Sequence, residues 1–156
     1  MRKLSLWMFL GLAAVVLVSF NVQAQDHAYV GAAKCKMCHK VQYASWEETV
    51  HAKATDNAKA STEREFSADC LKCHATNADE AMAGVQCEAC HGAGADYKKM
   101  SIMKDLEAAT ANGLVIPSQE TCDGCHTGDD HAKKVVKAEN LDNKKAIHEF
   151  KNPPGE

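Results

Sequence analysis

Eight cysteines and eight histidines stand in this 156-residue chain, and their spacing carries its chemistry. All the cysteines fall into pairs separated by two residues, and each pair is followed at once by histidine. The runs are Cys35-Lys36-Met37-Cys38-His39, Cys70-Leu71-Lys72-Cys73-His74, Cys87-Glu88-Ala89-Cys90-His91 and Cys122-Asp123-Gly124-Cys125-His126. This is the attachment pattern of c-type haem. Two thiols add across the two vinyl groups of one porphyrin, and two intervening residues set the sulfurs at that separation. The next histidine lies on the same face and reaches the iron as proximal ligand. Zinc sites, redox dithiols and structural disulfides also use Cys-x-x-Cys pairs, but none requires histidine after the second cysteine. Four such placements by chance have a probability on the order of 10⁻⁵. The motifs therefore imply four covalently bound haems, with His39, His74, His91 and His126 as proximal ligands.

Four further histidines, His27, His51, His131 and His148, match the number of second axial positions. A second imidazole gives six-coordinate, low-spin iron, whose geometry changes little on reduction, and a lower potential than a His/Met pair. His51 falls in a helical stretch read over 41–60, together with Trp46 and Val50. It lies about three turns beyond His39, too far along a straight helix to reach the same iron, and is expected to serve another haem. His148 stands near the end of a helical pattern over 130–151 that Asn152-Pro153-Pro154 stops. His27, near the start of the mature chain, and His131, five residues past His126, are further candidates. So are Met100 and Met103 after the third motif, although a methionine in a helix more often simply packs.

The elements that must hold these residues read as helices joined by haem-binding turns, over 41–60, 80–90, 98–111, 119–126 and 130–151, with no alternating strand pattern. Gly113 is placed to close the third of these and Ser118 to cap the fourth. Gly92-Ala93-Gly94 allows a tight backbone turn beside a haem. The motifs start 35, 17 and 35 residues apart, which is no solenoid period. The short middle gap predicts that the second and third haems lie close together.

Residues 1–24 read as an export signal: Arg2 and Lys3, an uncharged apolar run from Leu4 to Phe20, and the cleavage motif Val22-Gln23-Ala24. A retained anchor is the competing reading, but the run is short for a membrane span. The expected mature domain is 25–156, not an integral membrane protein after cleavage, with net charge moving from −3 to −5 and no basic run of the kind that binds nucleic acid. From Gln25 onward it holds 16 Leu, Ile, Val and Phe in 132 residues, about 12%. Chains below about 20% usually cannot bury enough surface to fold. Porphyrins must supply the interior. The fold class expected is mostly α, with helices and loops wrapped around four closely packed c-type haems.

With these residues in view, the chain resembles the tetrahaem cytochrome c-554 family, electron carriers related to those of ammonia-oxidising bacteria. The resemblance runs from Tyr29-Val30-Gly31 through Cys35–His39 to Ser45-Trp46 and His51-Ala52-Lys53-Ala54. It resumes at Gly84-Val85, continues through Cys87–His91 and Gly92-Ala93-Gly94, and ends at Ala146-Ile147-His148. It implies a mostly helical fold around haems in closely stacked pairs. It also implies that His51 reaches the fourth haem, that His148 reaches the third, and that the second haem, on Cys70 and Cys73, is five-coordinate with an open site. The chain departs from the family after the third motif. Where those proteins carry a histidine that ligates the first haem, it has Tyr97, Met100 and Met103. The first haem is then His/Met, takes His27 or His131, or is open.

The expected function is electron transfer outside the cytoplasm, in the periplasm or beyond the cell. Electrons would pass between donor and acceptor redox proteins with no catalytic residue of the chain's own. Two rival readings differ in kind. An open iron would make the protein a reductase of nitric oxide, nitrite or peroxide, betrayed by a high-spin ferric signal that shifts with added ligand. A histidine such as His27 ligating a neighbouring copy's haem would make it a homo-oligomer or the subunit of a haem filament.

Overall fold

The computed structural model describes residues 27–129 and 131–137. Residues 1–24, and with them the expected signal, lie outside the described residues, as does His148. Among the described residues eight short helices follow one another: α1 (Ala32–Cys35), α2 (Lys40–Glu47), α3 (Ala54–Ala60), α4 (Leu71–His74), α5 (Cys87–His91), α6 (Met100–Met103), α7 (Leu106–Ala111) and α8 (Gln119–Asp123). Single 3₁₀ turns at Ala68–Cys70, Thr76–Ala78 and Glu80–Met82 join them. Among the described residues there is no strand, only isolated bridges from Ala75 to Ala83 and Gly84. The mostly helical class expected from the sequence is the class observed.

The helices are shorter than their periodicity implied, and the breaks have identifiable causes. The stretch read over 41–60 is two helices, with His51 in the turn between them. The Thr49 hydroxyl donates to the Trp46 carbonyl at 2.7 Å, and the Ala52 amide donates to Thr49 Oγ1 at 3.3 Å. A side chain that bonds nearby backbone competes with the helical ladder in this way. The 98–111 stretch breaks where Asp105 accepts from the Ala108 amide at 3.0 Å and so caps α7. Gly113 follows that helix at φ 96°, as its expected closing role requires. The stretch over 80–90 divides into the Glu80–Met82 turn and α5. Residues 132–136, assigned to a long final helix by their pattern, carry no helix. Their backbone is held instead from outside, by Gln119 Nε2 donating to the Val135 carbonyl at 2.9 Å and the Lys137 amide donating to Gln119 Oε1 at 2.8 Å.

Long-range order comes from buried polar side chains. Thr55 donates to the His74 carbonyl and accepts from the Gly84 amide at 2.7 Å. Thr76 donates to the Gly84 carbonyl at 3.0 Å and accepts from the Gln86 amide at 2.8 Å. These two hydroxyls tie α3, α4 and the extended lead-in to α5 into one unit. Trp46 Nε1 donates to the Val85 carbonyl at 2.8 Å, and the Val85 amide donates to the His51 carbonyl at 2.8 Å. The turn carrying His51 is thereby fixed against the segment before the third motif.

Candidate haem-binding site

Each Cys-x-x-Cys-His run lies on or beside a short helix, and α4 and α5 end on their motif histidines. Three of those histidines are oriented alike. His74 Nδ1–H donates to the Ala54 carbonyl at 3.1 Å, His91 Nδ1–H to the Val115 carbonyl at 3.2 Å, and His126 Nδ1–H to the Lys133 carbonyl at 2.8 Å. A carbonyl only accepts, so the proton sits on Nδ1 and Nε2 keeps its lone pair. That is the tautomer and outer-shell contact typical of a metal-bound imidazole. Burial lowers the pKa of His39, of His51 (with a further push from His126) and of His91, which holds them in the neutral form a metal needs.

The thiols meet in an order the chain spacing does not give. Cys35 and Cys87 lie close enough to shift each other's thiol, Cys35 down and Cys87 up, which sets the first motif beside the third. Cys73 lies close enough to Cys125 to raise its thiol, and Cys125 Sγ reaches the Lys72 carbonyl at 4.0 Å, which sets the second motif beside the fourth. Cys90 lies close enough to Cys122 and Cys125 to feel their charge, and this links the two pairs. Burial raises the Cys90 thiol and pushes Cys125 up to about 12. All eight cysteines are unbridged. The neighbours Cys35 and Cys87, and Cys73 and Cys125, belong to motifs that are not consecutive in the chain, and Cys90 of the third motif lines the same cavity as Cys70 and Cys73 of the second.

A cavity of about 1770 Å³ opens between the second and fourth motifs, lined by Cys70, Cys73, His74, Cys122, Cys125 and His126, with Cys90 at its border. A pocket for one drug-sized molecule holds roughly 300–1,000 Å³. Val41 and Val50, among the most exposed large aliphatics, line this space. A broad apolar body there would cover them. The residues present fit haem: paired thiols, lone pairs on Nε2, and apolar walls around a volume sized for more than one flat cofactor.

Two candidate second ligands are drawn to motif histidines. The His51 and His126 ring centroids lie 6.1 Å apart with planes at 63°, and those of His74 and His131 lie 5.9 Å apart at 13°. The others go elsewhere. His27 donates from Nδ1 to Asp96 Oδ2 at 2.7 Å, with its ring close against Gly113. The carboxyl of Asp96 is held below its usual range by that bond. Met100 is exposed and Met103 half-exposed on α6. Tyr97 is buried, donates to the Gly92 carbonyl at 2.7 Å, and sits near Cys35 and Cys87, its own pKa raised mainly by burial.

Sequence reasoning missed Glu88, a non-motif position inside the third Cys-x-x-Cys. Only 1% of it is exposed. Its carboxylate accepts from the amides of Val30 at 2.9 Å, Gly31 at 2.7 Å and Gly94 at 2.6 Å. Gln86 Oε1 accepts from the Ala32 amide at 2.7 Å. Together they clasp the start of the first motif to the third. No spacing rule marks such a residue, although the glycines at 31 and 94 fit a close backbone approach.

Residues 34–92, which contain the first three motifs, match the family model described as cytochrome c554 and c-prime. The chain is 28% identical over 153 residues to cytochrome c-554 of Nitrosomonas europaea, covering 73% of this chain and 64% of that protein. The fold superposes on the solved reduced state of cytochrome c554 from the same organism with a TM-score of 0.60, at 23% identity, over 79% of this chain and 86% of that one. The chain resembles the cytochrome c-554 family through its first three motifs and shares that family's fold. It spans just under two thirds of the length of that curated relative. A match to a c-type cytochrome model over three Cys-x-x-Cys-His motifs points to covalently bound haem c, in agreement with the tautomers and thiol pairs described above. The cytochrome c-554 fold is the mostly helical one found here. Among the described residues no helix is long and apolar enough to cross a membrane.

Proposed function

We propose that the protein is an electron-transfer cytochrome carrying four haems, exported after removal of residues 1–24 and relaying single electrons between donor and acceptor proteins outside the cytoplasm. The observation that carries this reading is the cavity of about 1770 Å³ that the second and fourth motifs share, bordered by Cys90 of the third, with Cys35 of the first motif near Cys87 of the third. Thioether bonds at neighbouring sulfurs would hold cofactor edges close together, and closeness is what rapid electron passage needs. When bound, the haem iron supplies a one-electron couple whose potential is set by its axial ligands, burial and nearby charge. The chain's part is positional. The carbonyls of Ala54, Val115 and Lys133 fix the proximal rings and leave each Nε2 to ligate. His51 at 6.1 Å from His126 supports a second ligand from the α2–α3 turn for the fourth haem. His148 is proposed for the third.

Intact mass of the purified exported protein, followed by a reductive titration, tests this. The expected result is the mass of residues 25–156 plus four haems, and four reducible centres per chain that reoxidise rapidly with a soluble acceptor. A chain with the bare polypeptide mass would end the proposal, and so would haems that a small protein donor cannot reduce.

A further inference from the structure

We infer that His131 is the second axial ligand of the haem on Cys70 and Cys73, so that the site expected from the family resemblance to be open is closed in this protein. The inference rests on the haem-binding reading above. Two metal–nitrogen bonds of about 2 Å each, plus the depth of half a ring on either side, set trans imidazole centroids about 6 Å apart. His74 and His131 stand at 5.9 Å, close to the 6.1 Å of His51 and His126. The Nδ1–H of His74 is committed to the Ala54 carbonyl, which leaves Nε2 as its ligating atom. His131 also lines the cavity that the second and fourth motifs share.

The loop that delivers His131 is built for this placement. Gly128, at φ 87°, turns the chain directly after the fourth motif. Its amide donates to the Ala132 carbonyl at 2.7 Å, and the Ala132 amide donates to the Asp129 carbonyl at 2.9 Å. Lys133, two residues on, presents its carbonyl to His126 Nδ1 at 2.8 Å. One loop therefore orients the proximal ligand of the fourth motif and sends a ring to the second. The cavity lined by Cys73, His74, Cys125 and His126 brings the two motifs within reach of it. A reductase at the second haem would have no free position on the iron, so the rival reading loses its site there.

The two ring pairs differ in tilt, 13° against 63°, and this supplies a spectroscopic label. Near-parallel imidazoles split the iron d orbitals along one axis and give a rhombic low-spin ferric EPR signal. Steeply tilted ones leave two orbitals nearly degenerate and give a signal of high anisotropy. The test is EPR of the ferric holoprotein and of the His131→Ala and His131→Met variants, each with haem at Cys70 and Cys73 verified by peptide mass. The wild type is expected to show both signal types. His131→Ala should lose the rhombic signal, gain one high-spin haem per chain and bind added cyanide there, while the anisotropic signal persists. His131→Met should return that haem to low spin at a raised midpoint potential. A high-spin haem in the wild type that His131→Ala leaves unchanged would overturn the assignment, as would loss of the anisotropic signal in its place. If His131→Ala does not mature, the wild-type spectrum and His131→Met decide between the same outcomes. Absence of haem from Cys70 and Cys73 in the wild type would instead sink the haem-binding reading itself.

Discussion

Glu88 is a carboxylate with almost no solvent contact and three backbone amides aimed at it, from Val30, Gly31 and Gly94. Hydrogen bonds to a charged acceptor contribute about 1.5–3 kcal/mol each, and burying a donor without its partner costs about 1–3. In Glu88→Gln one oxygen remains and the other becomes an amide NH₂, a donor that faces donors. The holoprotein should lose roughly 2–4 kcal/mol of stability, seen as a lower guanidinium midpoint by far-UV circular dichroism. The covalent haem spectrum should stay intact. A midpoint unmoved within error would show that the clasp contributes nothing. At this scale the sequence was legible where chemistry imposes spacing, as in the thiol pairs and the histidines that follow them. It was silent at Glu88, Thr55 and Thr76, because one buried side chain bonding distant backbone leaves no pattern along the chain.

At the level of elements, periodicity located helical regions but overran their ends. Thr49 and Asp105 stop helices by bonding their own backbone neighbours, an effect that apolar spacing does not register. The consequence for the site is direct. A continuous 41–60 helix would carry His51 on its surface, whereas the observed turn presents it to His126. That turn is seated against Gly84, at φ 80°, where an added Cβ would stand 2.6 Å from the Ala52 carbonyl oxygen. Gly84→Ala should therefore cost about 1–3 kcal/mol through backbone strain alone. It should also displace His51, so that part of the fourth-haem population turns high spin at neutral pH while the remaining haems keep their spectra. Ferric EPR with spin quantitation reads this. A destabilised variant whose spin states are all unchanged would show that Gly84 supports the fold without positioning His51.

Across the whole molecule, the described interior is too small to account for a stable fold by itself. Its buried apolar residues are Ala32, Ala54, Ala75, Ala93 and Ala109, with Leu71 and Tyr97 the large ones, while Val50 is 73% exposed and Leu106 62%. Burial of a Val or Leu contributes about 1.5–3 kcal/mol, and here many such side chains stay uncovered by protein. The scarcity of aliphatics made this legible from composition. The order in which motifs pair was not, because it is set by contacts between residues far apart in the chain. If haem supplies the interior, its removal should act pair by pair. Replacing Cys70 and Cys73 with alanine should loosen the fourth motif, whose Cys125 meets Cys73, more than the first and third, which Cys35, Cys87 and Glu88 hold together. Hydrogen exchange should then show lost protection in α3, α4 and α8 and retained protection in α1 and α5. Replacing all eight cysteines should leave a chain with little helix and no cooperative thermal transition. Native-like helicity and a sharp melt in that haem-free chain would mean that the polypeptide builds its own core.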